Sequence, residues 1–143
     1  MSATSAVSRE EKKVENKDVR ILIVDDEAMM ADSLRQHLSD EGYSVDTAAT
    51  GAEGIERFDQ GGHHLAICDL QLPDMDGLEV MRHMKDARPT TEVIVVTGYG
   101  SVQRAVDATK AGAFTLLRSL SILKSCSHWL TRHSSVANWL PKQ

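Results

Sequence analysis

The stretch Val19-Arg20-Ile21-Leu22-Ile23-Val24-Asp25-Asp26-Glu27 decides how the rest of the chain is read. An aliphatic run, broken only by Arg20, stops abruptly at three consecutive acids. A short apolar run of this kind suits a strand covered on both faces, as in a parallel sheet. The acids then mark the point where the strand leaves the core. Over residues 28–41, Met30, Leu34 and Leu38 recur at helical spacing, and Gly42 follows as a stop signal.

The same alternation repeats outward from that stretch. Residues 43–49, with Val45 and Thr47, predict a second strand, and residues 51–60 a short helix with Ile55 and Phe58 inward, closed by Gly61-Gly62. Leu65-Ala66-Ile67-Cys68 is a third strand ending at Asp69. Pro73, Asp74 and Asp76-Gly77 mark a loop. Helical spacing resumes over residues 78–86 through Leu78, Met81 and Met84. A fourth strand over 92–96 ends at Thr97-Gly98-Tyr99-Gly100. Ser101 then caps a helix running to Ala111 with Gly112 as its stop, and residues 114–117 form a fifth strand. Strands alternating with helices predict an α/β fold with a parallel sheet covered on both sides. Right-handed crossovers place all strand C-termini on one edge, where such sheets bind ligands. That rule gathers Asp25, Asp26, Asp69 and Thr97 into one crevice.

At 143 residues, 41% hydrophobic and 26% charged, the chain suits one soluble domain. Its formal net charge of −5 argues against direct nucleic-acid binding, which wants a basic face. No apolar run approaches the ~20 residues that span a bilayer, and the first 18 residues carry no signal-peptide core. A cytoplasmic protein without membrane association is expected, with residues 1–18 as a flexible leader. Cys68 and Cys126 lie too far apart for a zinc spacing or a disulfide framework. Cys68, inside an apolar run, reads as a small buried hydrophobe.

Three carboxylates in one crevice would raise one another's pKa values, and a divalent cation removes the conflict. Magnesium, which takes oxygen ligands and keeps several waters, fits. A calcium loop or a zinc site does not, because neither a twelve-residue acidic loop nor a His/Cys cluster accompanies the acids. Asp69, at the centre of the edge, is the best nucleophile for a transferring phosphoryl group; Asp25 and Asp26 are better ion holders. The Thr97 hydroxyl can donate to a phosphoryl oxygen, and Gly98 leaves the crevice open. Helix capping explains a lone acid at a strand end better. A pair at one strand end, a third acid at another and a threonine at a third outweigh it.

The segments 21–27, 69–77 (Asp69-Leu70-Gln71-Leu72-Pro73-Asp74-Met75-Asp76-Gly77) and 93–100 (Val93-Ile94-Val95-Val96-Thr97-Gly98-Tyr99-Gly100) resemble the response-regulator receiver domain of two-component signalling. The resemblance implies a flavodoxin-like, doubly wound sheet of five parallel strands in the order 2-1-3-4-5. It implies that Asp69 accepts a phosphoryl group from a sensor histidine kinase. Asp26, Asp69 and the Gln71 backbone carbonyl would bind Mg2+ directly, Asp25 would act mainly through water, and Thr97 would move toward the phosphoryl group. Such a domain phosphorylates itself and slowly loses the group; it is a switch rather than a turnover enzyme. Tyr99-Gly100-Ser101-Val102 further resembles receivers of enhancer-binding transcription activators. A homodimer is left open. A phosphate-independent interaction module is disfavoured by the intact acids. An aspartyl-phosphate phosphatase is disfavoured by Gln71, which stands where such enzymes place a second acid. No glycine-rich dinucleotide fingerprint follows the first strand.

The chain departs from this pattern after Phe114. The family continues with Asp, an aromatic, an aliphatic, any residue, Lys and Pro; here Thr115-Leu116-Leu117-Arg118-Ser119-Leu120 follows. The switch aromatic thus falls on Leu116, the lysine on Ser119 and the proline on Leu120. The expected organisation is a receiver over 19–118 and an atypical segment over 119–143, with a helical stripe through Ile122, Cys126, Trp129 and Leu140. No output domain follows within the chain, so a stand-alone receiver or the remnant of a longer regulator is expected. One restored nucleotide after Phe114 lets codons for residues 115–126 spell Asp-Phe-Ile-Glu-Lys-Pro-Leu-Asp-Leu-Glu-Lys-Leu, a normal receiver ending. The expected tail is therefore a frameshift product. The gene's nucleotide sequence checks this: codons that cannot spell Lys-Pro in the neighbouring frame would refute it.

Overall fold

The structure, a computed structural model, describes residues 18–97 and 102–117. Nine elements follow one another: β1 (Arg20–Val24), α1 (Ala28–Asp40), β2 (Ser44–Ala48), α2 (Gly51–Gly61), β3 (Leu65–Asp69), α3 (Gly77–Ala87), β4 (Glu92–Thr97), α4 (Val102–Lys110) and β5 (Phe114–Leu117). The strands form one parallel sheet, as the alternation predicts, in the order β2-β1-β3-β4-β5 that the family resemblance implies. Residues 1–17 of the expected leader (1–18), the Gly98–Ser101 loop and the segment from Arg118 onward, with Ser119, Leu120, Cys126 and Trp129, lie outside the described residues.

Successive strand residues face opposite sides of the sheet. In β1, Ile21 and Ile23 pack with Ala31, Leu34 and Leu38 of α1, whereas Leu22 and Val24 join Phe58 of α2, Met81 and Met84 of α3 and Ala108 of α4. Both sets are buried, which is why β1 shows no polar alternation. Ala31 replaces Met30 as the first fully buried position of α1, and Ile55 is only partly buried in α2. Helix α2 instead buries two glycines. A Cβ at Gly54 would lie 2.8 Å from a Val24 methyl and one at Gly51 would lie 2.3 Å from Met75, so the glycines let the helix backbone rest directly on its neighbours. Among the described residues, no helix is long and apolar enough to cross a membrane.

The edge remote from the acids carries a polar lock. His63, buried between α2 and β3, lies 2.8 Å through Nε2 from Asp46 Oδ2, and Arg20 reaches the same oxygen at 3.3 Å. The His63 ring stacks on Phe58, and its carbonyl accepts from the Thr91 hydroxyl at 3.1 Å and from Arg88 at 3.3 Å. A neutral ring donating from Nε2 satisfies Asp46, whereas Nδ1 has no partner to receive an added proton's bond.

Burial accordingly holds the His63 pKa below its ordinary 6.5, against the raising effect of Asp46. The folded chain then binds fewer protons than the unfolded chain just below pH 6.5, and stability falls as the pH drops through that window. The Asp46 carboxylate, held below 3.8 chiefly by its hydrogen bond from His63, extends the loss to lower pH. Thermal melts by circular dichroism between about pH 5 and pH 7.5 are expected to show Tm falling with acid. His63→Gln, which can still donate to Asp46 but cannot titrate, is expected to flatten that slope. His64, whose pKa burial also lowers, supplies the remainder. An unchanged slope in the variant would contradict this account.

Candidate functional site

Each predicted site residue stands at the carboxyl edge of the sheet. Val24 pairs with Cys68 across β1 and β3, so Asp25 and Asp69 emerge side by side. Asp25 remains on the ladder through its amide, which donates to Ala48 O at 3.0 Å. Asp25 and Asp69 are buried, and Asp26 is exposed. One carboxylate oxygen from each of these acids lies within 4.8 Å of the other two. Thr97, also buried, ends β4 one residue beyond Val96, the register partner of Asp69.

Two of the acids are held by the same local device. Asp25 Oδ1 accepts from Glu27 N at 2.9 Å, and Asp69 Oδ1 accepts from Gln71 N at 3.0 Å. Each carboxylate thus closes a turn onto the amide two residues ahead, which fixes its orientation at the strand end. Glu27 is the N-cap of α1, but its own side chain makes no capping bond. Through this bond Asp25 holds the N-cap residue itself, not a helical amide of α1. Beside the acids an open groove of about 480 Å³ runs past Met29 and Arg35 to Thr47.

The loop after Asp69 is closed at its neck. Gly77 N donates to Leu70 O at 3.0 Å, and Gln71 and Asp76 form an isolated antiparallel bridge. A Cβ at Gly77 would lie 2.2 Å from the Asp69 carbonyl oxygen, so only glycine lets the start of α3 press against the phosphoacceptor candidate's own backbone. Asp76 caps α3 by accepting from Leu78 N at 2.9 Å. Beneath this edge Cys68 is fully buried, and burial together with the charges of Asp69 and Asp25 pushes its thiol pKa up. It is the inert hydrophobe the sequence suggests.

Sequence reasoning passed over Asp74 and Arg104. Asp74 reaches out of the loop to the N-terminus of α2: Oδ1 accepts from Gly51 N at 2.7 Å and Oδ2 from Ala52 N at 2.9 Å. These bonds hold its carboxyl below the ordinary range, first through Ala52 and then through Gly51. A carboxylate at a helix N-terminus also meets the positive end of the helix dipole. No local signal marks Asp74, because its partners lie more than twenty positions upstream.

Residues 21–118 match the response regulator receiver domain. The chain belongs to that family. Over 102 residues it is 37% identical to the transcriptional regulatory protein GlrR of Escherichia coli, spanning 71% of this chain and 23% of that one. It is 39% identical over 108 residues to the alginate biosynthesis transcriptional regulatory protein AlgB of Pseudomonas syringae, covering 76% of this chain and 23% of AlgB. The match thus spans less than a quarter of either relative. A CheY-like receiver domain from Methanospirillum hungatei superposes with a TM-score of 0.73 at 35% identity, covering 82% of this chain and 98% of the other. The response regulator TrrA of Thermotoga maritima, solved with Mg(2+)-BeF, superposes with a TM-score of 0.71 at 28% identity over 80% of this chain and 97% of TrrA.

Asp74→Ala is expected to speed hydrogen exchange at the Gly51 and Ala52 amides. Glu53 N, which the Thr50 hydroxyl also accepts at 3.1 Å, is expected to keep its protection. Amide exchange followed by NMR checks this: unchanged rates at both amides would show that the loop does not cap α2.

Proposed function

We propose that this receiver is the phosphoacceptor of a two-component phosphorelay, taking a phosphoryl group from a sensor histidine kinase onto Asp69. The observation that carries the reading is the trio Asp25, Asp26 and Asp69, with carboxylate oxygens within 4.8 Å at the sheet edge. Such a set repels itself when ionised, and its oxygen-only donors suit Mg2+. Asp26, Asp69 and the Gln71 carbonyl would hold the ion, with Asp25 acting mainly through water. When bound, Mg2+ neutralises charge on the phosphoryl oxygens.

The chain's own groups do the rest. The Gln71 amide orients the Asp69 carboxylate by holding Oδ1. A carboxylate oxygen forms the new O–P bond as the P–N bond to the kinase's phosphohistidine breaks, with the electron pair returning to the imidazole. Thr97, at the end of the neighbouring strand, donates its hydroxyl to a phosphoryl oxygen. Slow hydrolysis of the acyl phosphate resets the site, so the domain is a switch and not a turnover enzyme. Output switching is impaired: Leu116 stands where the family places an aromatic, and Ser119 where it places the lysine that contacts the phosphoryl group. The chain acts in the cytoplasm as the receiver of a regulator like its transcriptional relatives, without itself contacting nucleic acid.

Incubation with acetyl phosphate and Mg2+, read by intact mass, is expected to add one phosphoryl group. Chelation of the metal or Asp69→Asn is expected to abolish the gain. A gain that survives Asp69→Asn, or none in the unaltered protein, would overturn the assignment.

A further inference from the structure

Among the described residues, two buried side-chain nitrogen atoms lack a partner: His63 Nδ1 in the polar lock, and Arg104 Nε. Arg104 stands in the first turns of α4. Its Nη2 donates to Leu70 O at 2.9 Å and to Asp76 Oδ1. Those acceptors are the two sides of the neck that closes the loop after Asp69. The Leu70 carbonyl already receives Gly77 N, and Asp76 Oδ1 already receives Leu78 N. One guanidinium therefore joins α4 to the residue next to the phosphoacceptor candidate and to the N-cap of α3.

A half-exposed ion pair by itself contributes little to stability. This contact differs in two respects. One acceptor is a backbone carbonyl within the loop neck, and Arg104 Nε is buried without a bond of its own, so the head group is committed to the junction. The same loop carries the Gln71 amide that orients Asp69. At its other end, Arg104 belongs to the helix that follows Thr97.

We propose that Arg104 is a positioning residue that latches α4 to the loop after Asp69 and couples cation binding at Asp25, Asp26 and Asp69 to that helix. The inference rests on the acid cluster being the Mg2+ site. An ion held by the acid cluster and the Gln71 carbonyl would displace the Leu70–Gln71 segment. The Leu70 carbonyl carries that displacement to the guanidinium and so to α4. Coupling is reciprocal, so the latch also strengthens ion binding. Its partial exposure puts the effect at the low end of the usual range, about fivefold.

The test is a titration of the full-length 15N-labelled protein with Mg2+ alone, without phosphoryl donor. In the unaltered protein, the amides of residues 69–71 and of residues 105–110 are expected to shift with one shared midpoint. In Arg104→Met, which keeps the apolar stem, the site amides are expected to shift with a midpoint about fivefold higher, while the α4 amides no longer respond. Arg104→Lys, able to offer a point charge but not the planar fork, is expected to restore the response in part. A merely structural ion pair would change Tm while leaving the midpoint and the α4 response as they were, and that result would overturn the latch. Should Arg104→Met fail to fold, Arg104→Gln, which removes the charge and the planar fork but keeps a polar stem, takes its place; an unaltered α4 response there would overturn it equally. Site amides that stay still in the unaltered protein would instead refute the acid cluster as an ion site, and the coupling with it.

Discussion

Parallel pairing of β1 with β3 is the constraint on which the site depends. It sets Val24 beside Cys68, and the next residue on each strand is an acid. Because both strands run the same way, their ends cannot be separated without breaking the central ladder of the sheet. Asp25 and Asp69 are thereby forced together with Asp26 despite their mutual repulsion. The stability of a two-sided apolar core holds the charge conflict in place.

The loops at that edge continue the same division of labour. Asp25 and Asp69 each accept the amide two residues ahead, so the local chain orients the acids that the sheet has assembled. Farther out, Asp74 secures the start of α2, while Asp76 caps α3 and receives Arg104 from α4. Three helices on one face of the sheet are thus tied to the single loop that follows Asp69. Glycine makes the approach close enough: Gly77 against the Asp69 carbonyl, and Gly51 against Met75. A change at Asp69 consequently has bonded routes toward several helices, and the Arg104 route reaches the helix after Thr97.

Much of this was legible beforehand. The apolar runs at 21–24, 65–68 and 93–96 fall in strands, and the acids and threonine that terminate them fall at one edge. The reading was less accurate at helix faces. Met30 and Ile55 do pack against the core but stay partly exposed, while Ala31, Phe58 and the two glycines of α2 take the buried positions. Apolar character predicts that a helix buries a face; how closely its backbone approaches depends on which neighbour it meets, here Val24 and Met75. His63 likewise gave no signal, because a histidine before a strand is unremarkable until Asp46, Phe58 and Thr91 are seen around it.

By itself, then, the sequence determined the alternation of strands and helices, the parallel sheet and the identity of the acids at its carboxyl edge. These follow from hydrophobic periodicity and from a handedness rule that applies to any such chain. Only the tertiary structure decided that Asp74 serves α2, that His63 locks to Asp46, and that Arg104 spans α4 and the loop after Asp69. Each of those contacts joins polar groups from separate elements, and a hydrogen bond forms only within a few tenths of an ångström and a narrow range of angles. Residue type announces that such a group needs a partner; the packing of the elements chooses which one.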